Sequence, residues 1–135
     1  MEASRTLPFP FTLTARAENY LHGRPNLKDT IARLQVYQDA GADVLYAPAL
    51  STKEEIAAVV SSVDRPVNVV MGLRGVQLSL SELSAMGVKR VSVGSILARS
   101  AIGAFLRAAR EMRESGTFDF ANQAANPQEI SALLE

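Results

Sequence analysis

Cysteine is absent from the 135 residues, so the chain can build no disulfide framework, no Cys-ligated zinc site and no thiol nucleophile. Histidine occurs once, at His22, which excludes a His-rich metal cluster. Neither sign of charge is in excess: 14 basic and 14 acidic side chains cancel, with a pI near 6.6. A nucleic-acid or anionic-membrane partner, which needs a cationic surplus to meet phosphates, is therefore not expected. No uninterrupted apolar run approaches the roughly 20 residues of a membrane-spanning helix. The opening MEASRTLPFP lacks the apolar centre of a signal peptide, so a cytoplasmic location is expected. Also missing are a Gly-x-Gly-x-x-Gly turn, a Gly-Lys-Ser/Thr phosphate loop and a Gly-x-Ser-x-Gly elbow, which argues against nucleotide binding and serine hydrolysis. What is present is 47% hydrophobic content, enough to bury the core of one domain or of a piece of a larger one.

Between residues 11 and 114 the apolar pattern alternates between short β-rich runs and longer stretches at helical spacing, the pattern of βα units on a parallel sheet. Four units are legible. The first strand spans residues 11–16 and is followed by a helix over 27–40, with Asn26 as N-cap, Asp29 placed to answer it from the third helical position and Gly41 as terminator. The second strand, 44–47, precedes a helix opened by Ser51 and Glu54 at capping-box spacing. The third, 67–71, leads through Gly72-Leu73-Arg74-Gly75 to Ser79 and Glu82, the same spacing again, with Gly87 beyond. The fourth, 90–93, turns at Gly94-Ser95 into a long helix from Ile96 to about Glu114, and Pro127 opens one more short helix.

Four such units could form an open doubly wound sheet or half of an eight-stranded barrel. The first strand separates the two. Thr12, Thr14 and Arg16 give it a polar face opposite Phe11, Leu13 and Ala15, whereas a doubly wound sheet is covered by helices on both faces and should be apolar on both. A polar face ending in Arg at the C-terminal end of a strand suits a barrel interior reaching its mouth.

Arg16 is thus the first candidate for binding a carboxylate or phosphate through its planar fork, with a salt bridge to Glu18 as the plainer alternative. Glu18 and Asn19 could orient Arg16, bind a metal-bound water or simply be solvated loop residues. Gly94 and Ser95 offer amides to an anion at the start of the last helix, or merely make the turn. The Gly72–Gly75 loop lies on the same rim. Asn68, inside an apolar strand, must find hydrogen-bond partners and reads as structural. His22 has no Asp or Cys close in sequence and reads as a loop residue.

The stretches Leu13-Thr14-Ala15-Arg16-Ala17-Glu18-Asn19, Asp39-Ala40-Gly41-Ala42-Asp43, Arg65-Pro66-Val67-Asn68-Val69 and Gly87 to Gly94, in this order, resemble the isocitrate lyase and phosphoenolpyruvate mutase superfamily. The resemblance implies an α/β fold in which four consecutive βα units form the C-terminal half of a (β/α)8 TIM barrel, strands five to eight, plus C-terminal helices. It partitions the chain into an extension (1–9), the half barrel (10–115) and a tail (116–135). It further implies that Arg16 contacts the anionic end of a small oxo-acid, and that magnesium stabilises an enolate-like intermediate as a C–C or P–C bond is cleaved. The last helix is often exchanged between subunits in that superfamily. Two departures stand out: the magnesium-holding acidic strands and the mobile catalytic loop belong to the other half of the barrel, and Ala47-Pro48-Ala49 stands where some members carry an acid or a histidine. The expectation is an oxo-acid-binding half barrel whose substrate-binding residues are Arg16, Glu18, Gly94 and Ser95. It holds no metal and no catalytic residue of its own, and it requires a homo-oligomer or a missing N-terminal half. The alternative is a non-catalytic assembly module.

Overall fold

Seven alternating elements build a parallel sheet with helices on one side, and a helical segment follows them. The computed structural model describes residues 2–72 and 75–133, so Leu73 and Arg74 of the expected rim loop lie outside the described residues. The chain divides into two units, Met1–Gly94 and Ser95–Glu135.

In the first unit a short helix α1 (Glu2–Arg5) precedes β1 (Thr14–Arg16), α2 (Leu27–Asp39), β2 (Val44–Tyr46), α3 (Lys53–Ser61), β3 (Val67–Val70), α4 (Leu80–Ala85) and β4 (Arg90–Ser92). All pairings are parallel and the strands lie in sequence order, β1-β2-β3-β4. A doubly wound sheet reverses its order at a switch point, whereas a barrel advances one strand at a time. The unit is half of a (β/α)8 barrel.

Strand side chains alternate between faces. On one face Ala15, Leu45, Val67, Val69 and Val91 pack with Leu34 of α2, Ile56 and Val59 of α3 and Leu83 of α4 into the buried core. On the other stand Thr14 and Arg16, Val44 and Tyr46, Asn68 and Val70, Arg90 and Ser92, which no helix of this unit contributes to covering with core residues. The polar face anticipated for the first strand thus extends across the sheet.

Three local expectations are corrected. The first strand is limited to residues 14–16 because its neighbour begins at Val44, the register partner of Thr14. Before that point Leu13 is fixed by a side chain, its amide donating to Asp43 Oδ2 at 2.8 Å, and Phe11 is exposed. The same Asp43 receives Arg5 at 2.7 Å, which ties the N-terminal extension to the turn after α2. At α3 the capping box is formed by Thr52 and Glu55, one residue later than expected, with the Ser51 amide and hydroxyl also donating to Glu55. At α2 Asn26 accepts from the Asp29 amide as expected, but the Asp29 carboxylate turns to Arg33 at 2.8 Å instead of answering the cap. The Ser79–Glu82 box at α4 forms as expected. Gly87, at φ +89°, allows the turn after α4 and a close approach, since a Cβ there would lie 3.3 Å from Val60 Cγ1.

In the second unit α5 runs Ile96–Glu114, followed by a 3₁₀ turn, Asp119–Gln123, and α6, Pro127–Ala132. The Glu111 carboxylate accepts from the Thr117 hydroxyl and from the Asp119 and Phe120 amides, folding the tail back onto its helix. Ile102, Phe105 and Leu106 share a stripe of α5 at spacings of three and four and remain exposed.

Candidate functional site

Arg16 ends β1 on the face turned away from the helices, at the C-terminal end of the sheet where parallel α/β folds place their ligands. Register sets its neighbour: Arg16 pairs with Tyr46, and the guanidinium lies 4.9 Å from the centroid of that ring, a cation–π contact. Its Nε meets Glu18 Oε1 at 2.6 Å, and its side chain is 48% exposed. The plainer alternative, the salt bridge to Glu18, is therefore present, and it coexists with an open position at the mouth. Among the described residues Glu18 is the carboxylate that Arg16 pairs with, and no acceptor engages its terminal nitrogens.

The loop after Arg16 is organised around Asn19. Ala17 is buried, and the Asn19 amide nitrogen donates to Thr30 Oγ1 at 2.7 Å and, at longer range, to the Arg24 and Asn26 carbonyls. Its carbonyl oxygen is buried without a partner. Asn19 is thus turned inward as a loop brace, a role beyond the three its sequence position offered: orienting Arg16, binding a metal-bound water or standing solvated. Arg16, Glu18, Asn19, His22, Arg24 and residues of α2 line a polar cleft of about 540 Å³. Two of its cations are matched, Arg16 by Glu18 and Arg33 by Asp29, while Arg24 has no carboxylate partner among the described residues. The balance is cationic and suits an anion.

Two networks join residues that no spacing along the chain pairs. Tyr20 donates to Glu55 Oε1 at 2.7 Å, joining the loop after β1 to the start of α3. Burial and then the Glu55 carboxylate push the Tyr20 phenol up to about 12. Burial alone would raise Glu55, but hydrogen bonds from the Ser51 amide, the Tyr20 hydroxyl, the Ser51 hydroxyl and the Thr52 amide outweigh it and hold the carboxyl below its ordinary value. The second network explains Asn68, which is 1% exposed: it donates to Ser92 Oγ at 3.0 Å and accepts from Arg90 Nη1 at 2.7 Å. Tyr46, Asn68 and Arg90 fall in one register row with Arg16, and that row follows from strand pairing, which spacing along the chain does not reveal.

Gly94 closes the first unit at φ +52° and is exposed. Ser95 opens the second as the N-cap of α5, makes no side-chain cap bond, and precedes a first turn without an acid. His22 is exposed in the cleft loop, as expected. Among the described residues no three His, Asp or Glu side chains come together to hold a metal ion. The carboxylates nearest the mouth are engaged, Glu18 by Arg16 and Glu55 by Tyr20, so the residues present do not fit magnesium.

Comparison with known proteins places this geometry. Residues 1–113 match the family model of phosphoenolpyruvate phosphomutase. A crystal structure from Burkholderia cenocepacia, provisionally named a lyase/mutase, superposes with a TM-score of 0.92 at 65% identity, covering 98% of this chain and 48% of that one. An uncharacterized protein of Mycobacterium tuberculosis is 32% identical over 103 residues, 76% of this chain and 39% of its own length. A 2,3-dimethylmalate lyase, described as a member of the phosphoenolpyruvate mutase/isocitrate lyase superfamily, shares the fold with a TM-score of 0.71 at 22% identity, covering 90% of this chain and 42% of that one. The chain thus spans less than half the length of each of these proteins.

Proposed function

The chain belongs to the phosphoenolpyruvate phosphomutase family, and on that premise we propose that it supplies the C-terminal half of an enzyme that cleaves a C–C or P–C bond in a small oxo-acid. In this reading Arg16 grips the carboxylate or phosphonate of the substrate through its terminal nitrogens, while Glu18 and the Tyr46 ring hold the guanidinium in place. The observation that carries the reading is the position of Arg16: the C-terminal end of a barrel strand, half-exposed, braced on its Nε side and open beyond it. The backbone amide of Gly94, which closes the same unit, is the second anion contact of this proposal.

The chemistry needs more than this chain. An enolate-like intermediate requires stabilisation of its developing charge, worth several kcal/mol where a metal provides it. The carboxylates for magnesium would come from outside these residues. The isolated chain therefore binds an anion but does not turn it over. Assays with isocitrate, 2-methylisocitrate, oxaloacetate and phosphonopyruvate in the presence of magnesium should show no turnover above background; robust activity of the purified chain would place the active site wrongly.

A second reading, a non-catalytic assembly module, draws on the apolar stripe of α5. Ile102, Phe105 and Leu106 are 57%, 69% and 45% exposed. A stripe of that size on one helix face suits burial against another subunit, by exchange of the helix within a homo-oligomer.

A further inference from the structure

The helix-free face of the sheet carries two guanidiniums in one register row, and they differ in their partners. Arg16 has Glu18. Arg90, the first residue of β4, donates to Asn68 Oδ1 at 2.7 Å, and no carboxylate lies within ion-pair distance of it among the described residues. Asn68 is neutral and its other polar atom is spent on Ser92. Arg90 is exposed, so water satisfies its charge for now.

That state ends when the barrel closes. The face becomes the filled interior, and a guanidinium placed there without a counter-charge is strongly disfavoured. Closure is also what the sheet lacks: β1 and β4 end the strand order, each with an outer edge open to another strand, and four strands are half of eight. The chain covers 48% of the Burkholderia protein, so a segment of comparable length carries the remainder there.

Two occupants can bring four parallel strands, a second copy of this chain or a segment carrying the other half, and charge chooses between them. A second copy would present Thr14, Val44, Tyr46, Asn68, Val70 and Ser92, none of them acidic, an Arg16 already paired with its own Glu18, and another Arg90. Its interior would enclose two like charges without an acid for either. We propose that the free edges of β1 and β4 and the face between them dock a polypeptide segment bearing the other four strands, and that an inward-facing carboxylate of this segment pairs with Arg90. The inference rests on the half-barrel reading above. Arg90 begins β4 and does not stand at its C-terminal end, so the pair serves assembly, not substrate.

The probe is the portion of the Burkholderia cenocepacia chain outside its match to this one, expressed separately and titrated against the full 135-residue chain by sedimentation velocity. The expected result is a one-to-one complex that Arg90→Met weakens at least about tenfold, since a buried acid would lose its partner. Arg90→Gln, which keeps a polar group beside Asn68 but no charge, should weaken it similarly, and Arg90→Lys should retain most of the affinity. Arg90→Met also leaves the buried Asn68 Oδ1 without its donor, so thermal unfolding of each variant alone, followed by circular dichroism, should be lowered in Arg90→Met and close to the parent in Arg90→Gln, and affinities are compared where both are folded. A complex whose affinity is unchanged in Arg90→Met and Arg90→Gln overturns the carboxylate pairing and leaves the half-barrel reading standing. A soluble probe that forms no complex with the parent chain overturns both.

Discussion

Arg16 and Ala49 carry the residue-scale consequences. If the terminal nitrogens of Arg16 hold an anion, Arg16→Ala should weaken phosphate or pyruvate binding at least tenfold, about 1.4 kcal/mol. Isothermal titration reads this directly, and equal affinities in parent and variant would remove Arg16 from the site. Ala49 stands on the rim after β2 with φ at +68°, a left-handed conformation in a residue with a Cβ. Releasing that conformation recovers roughly 1–2 kcal/mol, against roughly 0.5–1 kcal/mol for the freedom glycine gains in the unfolded chain. Ala49→Gly should accordingly be neutral or stabilising by up to about 1 kcal/mol in urea unfolding, while Ala49→Val should destabilise. At this scale the sequence identifies Arg16 and its partner Glu18, because an Arg two positions before an acid at a strand end is a local pattern. It does not reveal the role of Asn19, whose three acceptors come from a loop and a helix that only folding brings round it.

Among the elements, α4 shows how little local sequence is needed to start a helix and how much pH matters to it. Its six residues are opened by Ser79 and Glu82, each bonded to the other's backbone. Ser79→Ala should cost about 1 kcal/mol. The Glu82 carboxyl is pulled down to about 2 by the Ser79 amide first, then by the Lys53 ammonium and the Ser79 hydroxyl. A carboxyl depressed in the folded state stabilises at a pH above its unfolded value and loses that contribution as the pH falls through its folded one. The stability tied to Glu82 should therefore be intact above about pH 4.5 and vanish as the pH approaches 2. Glu82→Gln should flatten this acid limb in urea midpoints measured across that range; an unchanged slope would show that the cap does not bear on folding. The boundary errors have a physical pattern. The Ser51/Glu54 and Thr52/Glu55 spacings are equally good boxes in sequence, and the path of the loop after β2 selects the second. The alternation of Phe11 to Leu13 extends the expected first strand too far, because β2 has no residues beside them.

For the whole molecule, sheet order and exposed surface govern assembly. Four parallel strands in sequence order leave two outer edges and one helix-free face, which natural proteins cover or pair. The stripe of α5 adds an apolar face to that. If α5 associates through it, Phe105→Asp should lower the mass seen by light scattering to that of the monomer; a parent chain that is already monomeric at high concentration would count against exchange. Among the described residues no helix is long and apolar enough to cross a membrane. The half-length match to its relatives and the half-complement of strands are the same fact seen twice, in sequence and in topology.

The sequence by itself determined the four βα units, the helix caps at Asn26 and Ser79, the span of the long last helix and the Arg at the strand end. Each of these is set by residues within a few positions of one another, through backbone hydrogen bonding and the periodicity of apolar side chains. Only the tertiary structure decided that Arg16 rests on Tyr46, that Tyr20 caps Glu55 from another loop and that Asn68 stands between Ser92 and Arg90. Those contacts span about 20 to 35 residues and depend on strand register. A shift of one position would send the same side chains to the opposite face, so no local pattern can encode them.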